Sequence, residues 1–134
     1  MDHTIANLLR IKEEINLKDS HNTKIIAVTK TFPVDKILPL LKFGHIDFGE
    51  NKVQEAILKW GKIKDDYQDI KLHMIGKLQT NKVKHAVKIF DYIHSVDNLK
   101  LAEKISQEQK KIDKNIKLFI QVNIGSEDQK NGIN

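Results

Sequence analysis

The strongest constraint on the fold is the order of the chain's apolar patterns, in which short β-branched runs alternate with segments of helical periodicity. An amphipathic segment comes first, a strand-like run and a helix-like segment then follow each other four times, and a fifth strand-like run closes the series. The predicted strands are 24–29, 45–48, 71–75, 91–96 and 116–124. The predicted helices are 4–16, 33–44, 53–61, 83–90 and 98–105. This alternation is typical of a parallel sheet covered by helices.

Four residues predict where the helices stop, start or bend. Gly44 and Gly61 follow the apolar stripes of the second and third helices and predict their ends. Asp97 predicts the N-cap of the last helix. Pro39 lies inside the second helix, where it is expected either to kink the helix or to shorten it.

A parallel sheet of this kind closes in one of two ways. It is an open doubly wound sheet, or it is part of a (β/α)8 barrel, which needs at least about 200 residues when complete. The chain has 134 residues. We therefore predict a single domain over 1–134 that is either an open five-stranded sheet or the N-terminal portion of something larger.

Composition excludes several classes of function. The chain has a net charge of +5 and mean hydropathy of −0.45, and Arg10 is its only arginine, which disfavours sequence-specific nucleic-acid binding. The absence of cysteine excludes disulfides and thiolate chemistry, and the six histidines lack HxH or HExxH spacing, which disfavours a metal site. No apolar run approaches the roughly 18 residues of a membrane span. We expect a cytoplasmic protein.

Polar residues follow each predicted strand. Because ligands of parallel α/β folds bind at the carboxyl ends of strands, these residues predict a binding site. Helix capping is the alternative interpretation for Asn51 and Asp97. The strand-end residues are Lys30, Glu50, Asn51, Gly76, Lys77, Ser95, Asp97 and Asn123.

Lys30 is the strongest single candidate in this set because of its position. It follows the apolar run of the first strand, where partial desolvation would disfavour the ammonium form and favour the neutral amine that attacks a carbonyl. The alternative is a surface lysine whose stem extends to solvent.

Five segments of the chain, taken in order, closely resemble the pyridoxal phosphate homeostasis protein family. The segments are AVTK at 27–30, DFGENKVQEA at 47–56, LHMIGKLQTNK at 72–82, IHSVDN at 93–98 and QVNIGSEDQKNGI at 121–133. The resemblance runs from the first strand to the end of the chain. It implies a fold like the N-terminal barrel domain of alanine racemase, an incomplete (β/α)8 TIM barrel with about five of eight strands.

The resemblance also implies a cofactor and the residues that hold it. Pyridoxal 5′-phosphate would form an internal aldimine with Lys30, and Lys130 matches a lysine implicated in handling a second cofactor molecule. The residues implied to line the pocket are Asn51, His73, Gly76 and Asn123. No catalytic residue and no metal ligand is implied.

The function that the resemblance implies is cofactor buffering or delivery inside the cell, with PLP-dependent apo-enzymes as recipients. The resemblance also implies that the protein is a monomer. A racemase-type enzyme is one alternative, which would need a second acid/base opposite the lysine. Neither Tyr67, in a polar loop, nor Tyr92, early in a strand, suits that role. A fragment without independent activity is another.

Two departures from the family pattern bear on these expectations. Phe32 stands where many members carry a second lysine, so any role of that lysine in cofactor exchange is in doubt here. The family's phosphate-binding loop follows the motif that ends at Gly132–Ile133, whereas this chain has Asn134 as its last residue. We therefore expect three barrel strands to be missing, an exposed apolar edge on strand five, and an oligomer as one way of covering that edge.

Overall fold

A computed structural model describes residues 2–18 and 23–124, in which five parallel strands form one sheet flanked by helices. The strands are β1 (Ala27–Val28), β2 (Asp47–Glu50), β3 (Lys71–Met74), β4 (Tyr92–Val96) and β5 (Lys117–Ile120). The helices are α1 (His3–Leu17), α2 (Val34–Phe43), α3 (Val53–Asp66), α4 (Val83–Ile89) and α5 (Leu99–Lys111), with a short 3₁₀ helix (Thr80–Lys82) before α4. The predicted alternation is confirmed. No helix in these ranges has the length and apolar character needed to cross a membrane.

The order of the strands decides between the two closures that the sequence leaves open. Neighbours in the sheet are neighbours in the chain, β1-β2-β3-β4-β5, and every pair is parallel. A doubly wound sheet changes direction and brings non-consecutive strands together, whereas a (β/α)8 barrel keeps sequential order throughout. The doubly wound alternative is therefore wrong, and the predicted five strands of an incomplete barrel are confirmed.

The helices cover one face of the sheet, and the main core is the layer between the helices and the sheet. Phe48, Leu72 and Ile93 project from three adjacent strands into this layer, where each is completely buried. Trp60 of α3 packs on Phe48 with ring centroids 4.8 Å apart. Burial of each such side chain contributes roughly 1.5–3 kcal/mol, so this layer supplies most of the stability of the sheet. We call the opposite side, which carries Val28, the open face.

Helix α2 ends where its glycine predicts. Gly44 has φ +97°, a left-handed conformation that glycine adopts without steric cost, and its N–H donates to the carbonyls at the end of the helix. Pro39 lies inside α2, which continues past it to Phe43. Of the two effects predicted for Pro39, shortening is therefore excluded.

Two other predicted helix limits are wrong. Helix α3 continues beyond Gly61, because Ile63 buries the next position of the same apolar stripe and a helix tolerates one internal glycine. Asn98, not Asp97, is the N-cap of α5, since its Oδ1 accepts from the backbone N–H of Leu101 at 2.8 Å. The Asp97 carboxylate accepts instead from the Asn98 side chain.

The outer strands are shorter than predicted. β1 has two residues and β5 four, and the longest strand is β4 with five. Each outer strand has a partner on one side only within the described ranges, so fewer backbone groups are held in the ladder. Every residue of β5 is exposed, including Phe119 at 51% and Ile120 at 66%. The exposed apolar edge expected for the fifth strand is therefore present in the described structure.

Candidate functional site

Backbone hydrogen bonds join neighbouring strands at their carboxyl ends, and we call this end of the sheet the rim. These bonds run from Thr29 N to Gly49 O at 2.9 Å, from Ile75 N to Glu50 O at 2.9 Å, and from Gln121 N to Val96 O at 2.8 Å. Each bond is donated by a residue just beyond the end of a strand. The segments that follow neighbouring strands therefore begin close to one another. The prediction that the carboxyl ends of the strands meet at one edge is confirmed.

Lys30 lies at the rim in the turn that follows β1, and it is exposed. The predicted desolvation is therefore wrong for the described structure. The reason is local: Thr29 takes the buried position at the end of β1, where only 4% of it is accessible. The side chain of the next residue is left in solvent. The Lys30 amine is thus available to a ligand that approaches the rim.

Asn51 and Gly76 are brought into direct contact at the rim. A Cβ atom on Gly76 would lie 2.5 Å from the Asn51 carbonyl oxygen and 2.8 Å from the Asn51 Cβ, so only glycine allows this approach. The Gly76 carbonyl accepts from Ser95 Oγ at 2.6 Å, which connects the next strand to the same point. Asn51 is not the N-cap of α3, a position that Lys52 occupies without a side-chain cap, so the capping interpretation is wrong.

His73 lies deeper on the open face, in a chain of side-chain hydrogen bonds across three strands. Its Nε2 is 2.8 Å from Asp47 Oδ1, and its Nδ1 is 2.9 Å from His94 Nε2. A carboxylate oxygen accepts, so His73 donates to Asp47 through its Nε2–H, and its Nδ1 shares one hydrogen with His94 Nε2. Burial, and then the neighbouring His73, lower the pKa of His94 and favour its neutral form.

Both ring nitrogens of His73 are therefore engaged. One face of its ring stacks on Tyr92 with centroids 4.2 Å apart and planes 8° apart, and Phe119 stacks on His94 at 4.6 Å. The open face at this point is therefore lined by aromatic and imidazole rings that stack on one another. That His73 lines a cofactor pocket remains a prediction, and any contact would use the ring rather than a free nitrogen.

Asp47 is a residue of this site that was not among the predicted site residues. Its carboxylate is the acceptor at the end of this chain of hydrogen bonds. A signal was present, because Asp47 and His73 each have an apolar residue on both sides in the sequence. Polar residues at alternate strand positions indicate one shared face.

The strand register relates the site residues to one another. Val28 pairs with Gly49, and Gly49 pairs with His73, so these three residues form one row across the sheet. Lys30 and Asn51 each follow their row member by two residues and lie at the rim, on the carboxyl side of the row. The geometry thus places an exposed amine and a close backbone contact at the rim, beyond a lining of rings.

Two of the predicted cofactor residues lie towards the end of the chain. Asn123 is half-buried just beyond β5. Lys130 falls outside the described residues, so its predicted role is unaddressed by this geometry. Among residues 2–18 and 23–124, no group of three or more histidine or acidic side chains is arranged to hold a metal ion.

Comparison with protein families and curated proteins identifies what the chain resembles. A family model described as "Alanine racemase, N-terminal domain" matches residues 1–134. The "Pyridoxal phosphate homeostasis protein" of Buchnera aphidicola subsp. Schizaphis graminum is 38% identical, over 99% of this chain and 60% of the relative. The protein of that name from Vibrio alginolyticus is 33% identical, over 96% of this chain and 56% of the relative. The predicted resemblance is confirmed, and the chain spans little more than half the length of these relatives.

Solved structures show the same relationship. PipY of Synechococcus elongatus PCC7942, solved without PLP, is 37% identical with a TM-score of 0.78 over 91% of this chain and 58% of its own. The same protein with PLP bound is 35% identical with a TM-score of 0.75 over 92% and 58%. An alanine racemase of Clostridium difficile 630 has a TM-score of 0.69 over 94% of this chain and 32% of its own, at 16% identity, which shows a shared fold alone.

Proposed function

The chain belongs to the alanine racemase N-terminal domain family, and from that premise we propose that it binds pyridoxal 5′-phosphate covalently through the amine of Lys30. Its role is to buffer the cofactor or deliver it to PLP-dependent apo-enzymes in the cytoplasm, rather than to turn over a substrate. The observation that carries this proposal is the exposed Lys30 amine at the rim of a parallel sheet, where such folds bind ligands. A relative with 35% identity and PLP bound supports the choice of ligand.

The residues at the rim fit this cofactor. When bound, pyridoxal phosphate supplies an aldehyde carbon with which a neutral amine condenses, releasing one water. Lys30 supplies an amine that solvent reaches. Gly76 lets the residues that follow β2 and β3 approach closely, and the stacked rings of His94 and Phe119 lie on the same sheet.

Binding without turnover is supported by the positions of the tyrosines. Racemisation needs a second acid/base on the opposite face of the bound substrate. The chain has two tyrosines. Tyr67 ends α3, and Tyr92 is the first residue of β4, at the end of the sheet away from the rim. Neither is placed at the rim beside Lys30.

Titration with pyridoxal phosphate tests the proposal. The wild-type chain is expected to develop the absorbance of a protonated Schiff base, and Lys30→Ala is expected to lose it. Lys36→Ala, which removes an exposed lysine from α2, should behave as the wild type. Equal absorbance in all three proteins would mean nonspecific reaction of surface amines and would contradict the assignment of Lys30.

Delivery is tested with the loaded chain and an apo-form of a PLP-dependent enzyme. Activity of the apo-enzyme should recover when the loaded chain is added and should not recover with Lys30→Ala that has been incubated with the cofactor and desalted in the same way. The loaded chain alone should leave the enantiomeric composition of L-alanine unchanged. Racemisation by the wild-type chain that is absent from Lys30→Ala would instead support the enzymatic alternative.

A further inference from the structure

The turn that carries Lys30 has a strained backbone. Thr31 has φ 67°, in the left-handed region that a β-branched residue rarely adopts. The Phe32 N–H donates to the Thr29 carbonyl at 3.1 Å, which closes the turn around Lys30. Strain of this kind persists only where surrounding contacts hold the backbone.

Two side chains of α3 supply those contacts, one on each side of Lys30. Lys59 Nζ donates to the Thr29 carbonyl at 2.7 Å. Glu55 Oε1 accepts from the Thr31 N–H at 2.8 Å, and this hydrogen bond is the main reason that the pKa of Glu55 lies below its usual value. The backbone atoms next to Lys30 are therefore held from α3, while its own side chain is free in solvent.

Glu50 anchors the same group of side chains from β2. It is completely buried, and its Oε2 accepts from Lys59 Nζ at 2.9 Å, Thr29 Oγ1 at 2.6 Å and Trp60 Nε1 at 3.0 Å. Lys59 also approaches Glu55 at 3.4 Å. These bonds connect the turn to the core, so the position of the turn follows that of β2 and α3.

We propose that Glu55 and Lys59 are positioning residues, which hold the strained 29–32 turn so that the Lys30 amine is presented at the rim. This inference rests on the proposed function. A turn that is ordered before the ligand arrives loses less conformational entropy when Lys30 forms its covalent bond, so the bound state is favoured. Neither residue touches the Lys30 amine, and both act through backbone atoms of its neighbours.

Glu55 allows a graded test, because its side chain is 29% exposed in the first turn of α3 and its loss leaves the core intact. Glu55→Ala removes the acceptor of the Thr31 N–H, whereas Glu55→Gln keeps an oxygen at that place. Glu103→Ala removes an exposed glutamate from α5 and is the matched control. Thermal melting checks that all three variants fold.

The first measurement is amide hydrogen exchange at Thr31 without cofactor. Exchange is expected to rise about tenfold or more in Glu55→Ala, which leaves the Thr31 N–H without its acceptor. It should rise less in Glu55→Gln, which keeps a neutral oxygen acceptor, and stay near wild type in Glu103→Ala. The second measurement is the fraction of Lys30 labelled by pyridoxal phosphate and borohydride at limiting cofactor. This fraction should fall several-fold in Glu55→Ala and recover in Glu55→Gln.

The outcomes separate this inference from the proposed function. Labelling of Lys30 that is lost only in Glu55→Ala supports both. Normal labelling in Glu55→Ala, with or without faster exchange at Thr31, overturns the positioning role and leaves the proposed function intact. No labelling of Lys30 in the wild-type chain overturns the proposed function and the positioning role together.

Discussion

At the scale of single residues, the approach of Gly76 to Asn51 is the tightest constraint on the rim. Because Gly76 has no Cβ, the backbone carbonyl of Asn51 fits beside it, whereas a Cβ at this position would lie 2.5 Å from that oxygen. A backbone atom gives way less easily than a flexible side chain. Asn51 and Gly76, which follow β2 and β3, approach this closely only because position 76 has no side chain. The identity of the residue at 76 therefore controls the geometry beside Lys30.

Gly76→Ala is expected to lower the free energy of unfolding by about 1–3 kcal/mol, since the strands must separate to admit the methyl group. Gly61→Ala is the matched control, because nothing lies within 4 Å of a Cβ at that position in α3. It should raise the free energy of unfolding by about 0.5–1 kcal/mol through higher helix propensity. Urea denaturation measures both, and equal stability of Gly76→Ala and wild type would contradict the account.

At the scale of elements, the end of α4 shows how a lysine replaces a helix cap. Lys114 Nζ donates to the carbonyls of Val87 at 2.8 Å and Phe90 at 2.7 Å, which lie at the carboxyl end of the helix. Burial lowers the pKa of Lys114 to about 8. A neutral amine keeps two N–H donors, so both carbonyls stay satisfied after the proton is lost.

The lowered pKa of Lys114 predicts a pH dependence of stability. Between about pH 8 and about pH 10.5 the unfolded chain holds a proton at Lys114 that the folded chain has released, so the contribution of this group rises with pH. Because the side chain is half-buried and screened by solvent, the expected gain is about 1 kcal/mol.

Urea denaturation of the wild type and Lys114→Met at about pH 7 and about pH 10 measures this contribution. The difference in stability between the two proteins should move in favour of the wild type at the higher pH. Lys110→Met, which removes an exposed lysine, should show no such change. A difference that is independent of pH would show that Lys114 titrates normally.

The elements were predictable to different extents. Apolar periodicity predicted the five strands and five α-helices of the described residues, because alternation and helical spacing are local properties, but not the 3₁₀ helix Thr80–Lys82. The lengths of β1 and β5 were not predictable, since they depend on whether another strand pairs with them. Helix α3 passed its predicted end at Gly61 because Ile63 continues to be buried, which is a tertiary effect.

The site was predictable only in part. Motifs and strand ends placed Lys30, Asn51 and Gly76 at the rim. The contacts that Glu55 and Lys59 make with the turn link residues more than 20 positions apart. Such contacts depend on strand register and helix packing, which no local pattern specifies.

At the scale of the whole molecule, the described structure has an apolar sheet edge. β5 exposes Leu118, Phe119 and Ile120, and within residues 2–18 and 23–124 no strand pairs with its outer side. Exposed strand edges with apolar side chains favour pairing with further strands. Self-association of the 134-residue chain is therefore expected to increase with concentration.

Ile120→Lys is expected to lower that association, because a charged side chain on an edge strand opposes pairing. Leu58→Lys is the matched control, since Leu58 is 88% exposed on α3 and lies away from the sheet edge. Sedimentation velocity over a range of concentrations measures the mass of both. The same mass for Ile120→Lys and wild type at every concentration would contradict the involvement of this edge.

The proposed function depends most on a covalent bond between the cofactor and one particular lysine. The decisive measurement is reduction of the wild-type chain with borohydride in the presence of equimolar pyridoxal phosphate, followed by peptide mapping by mass spectrometry. The label is expected on Lys30, close to one per chain, and Lys30→Ala is expected to carry little label elsewhere. Label spread over many lysines, or absent, would contradict a cofactor site at the rim.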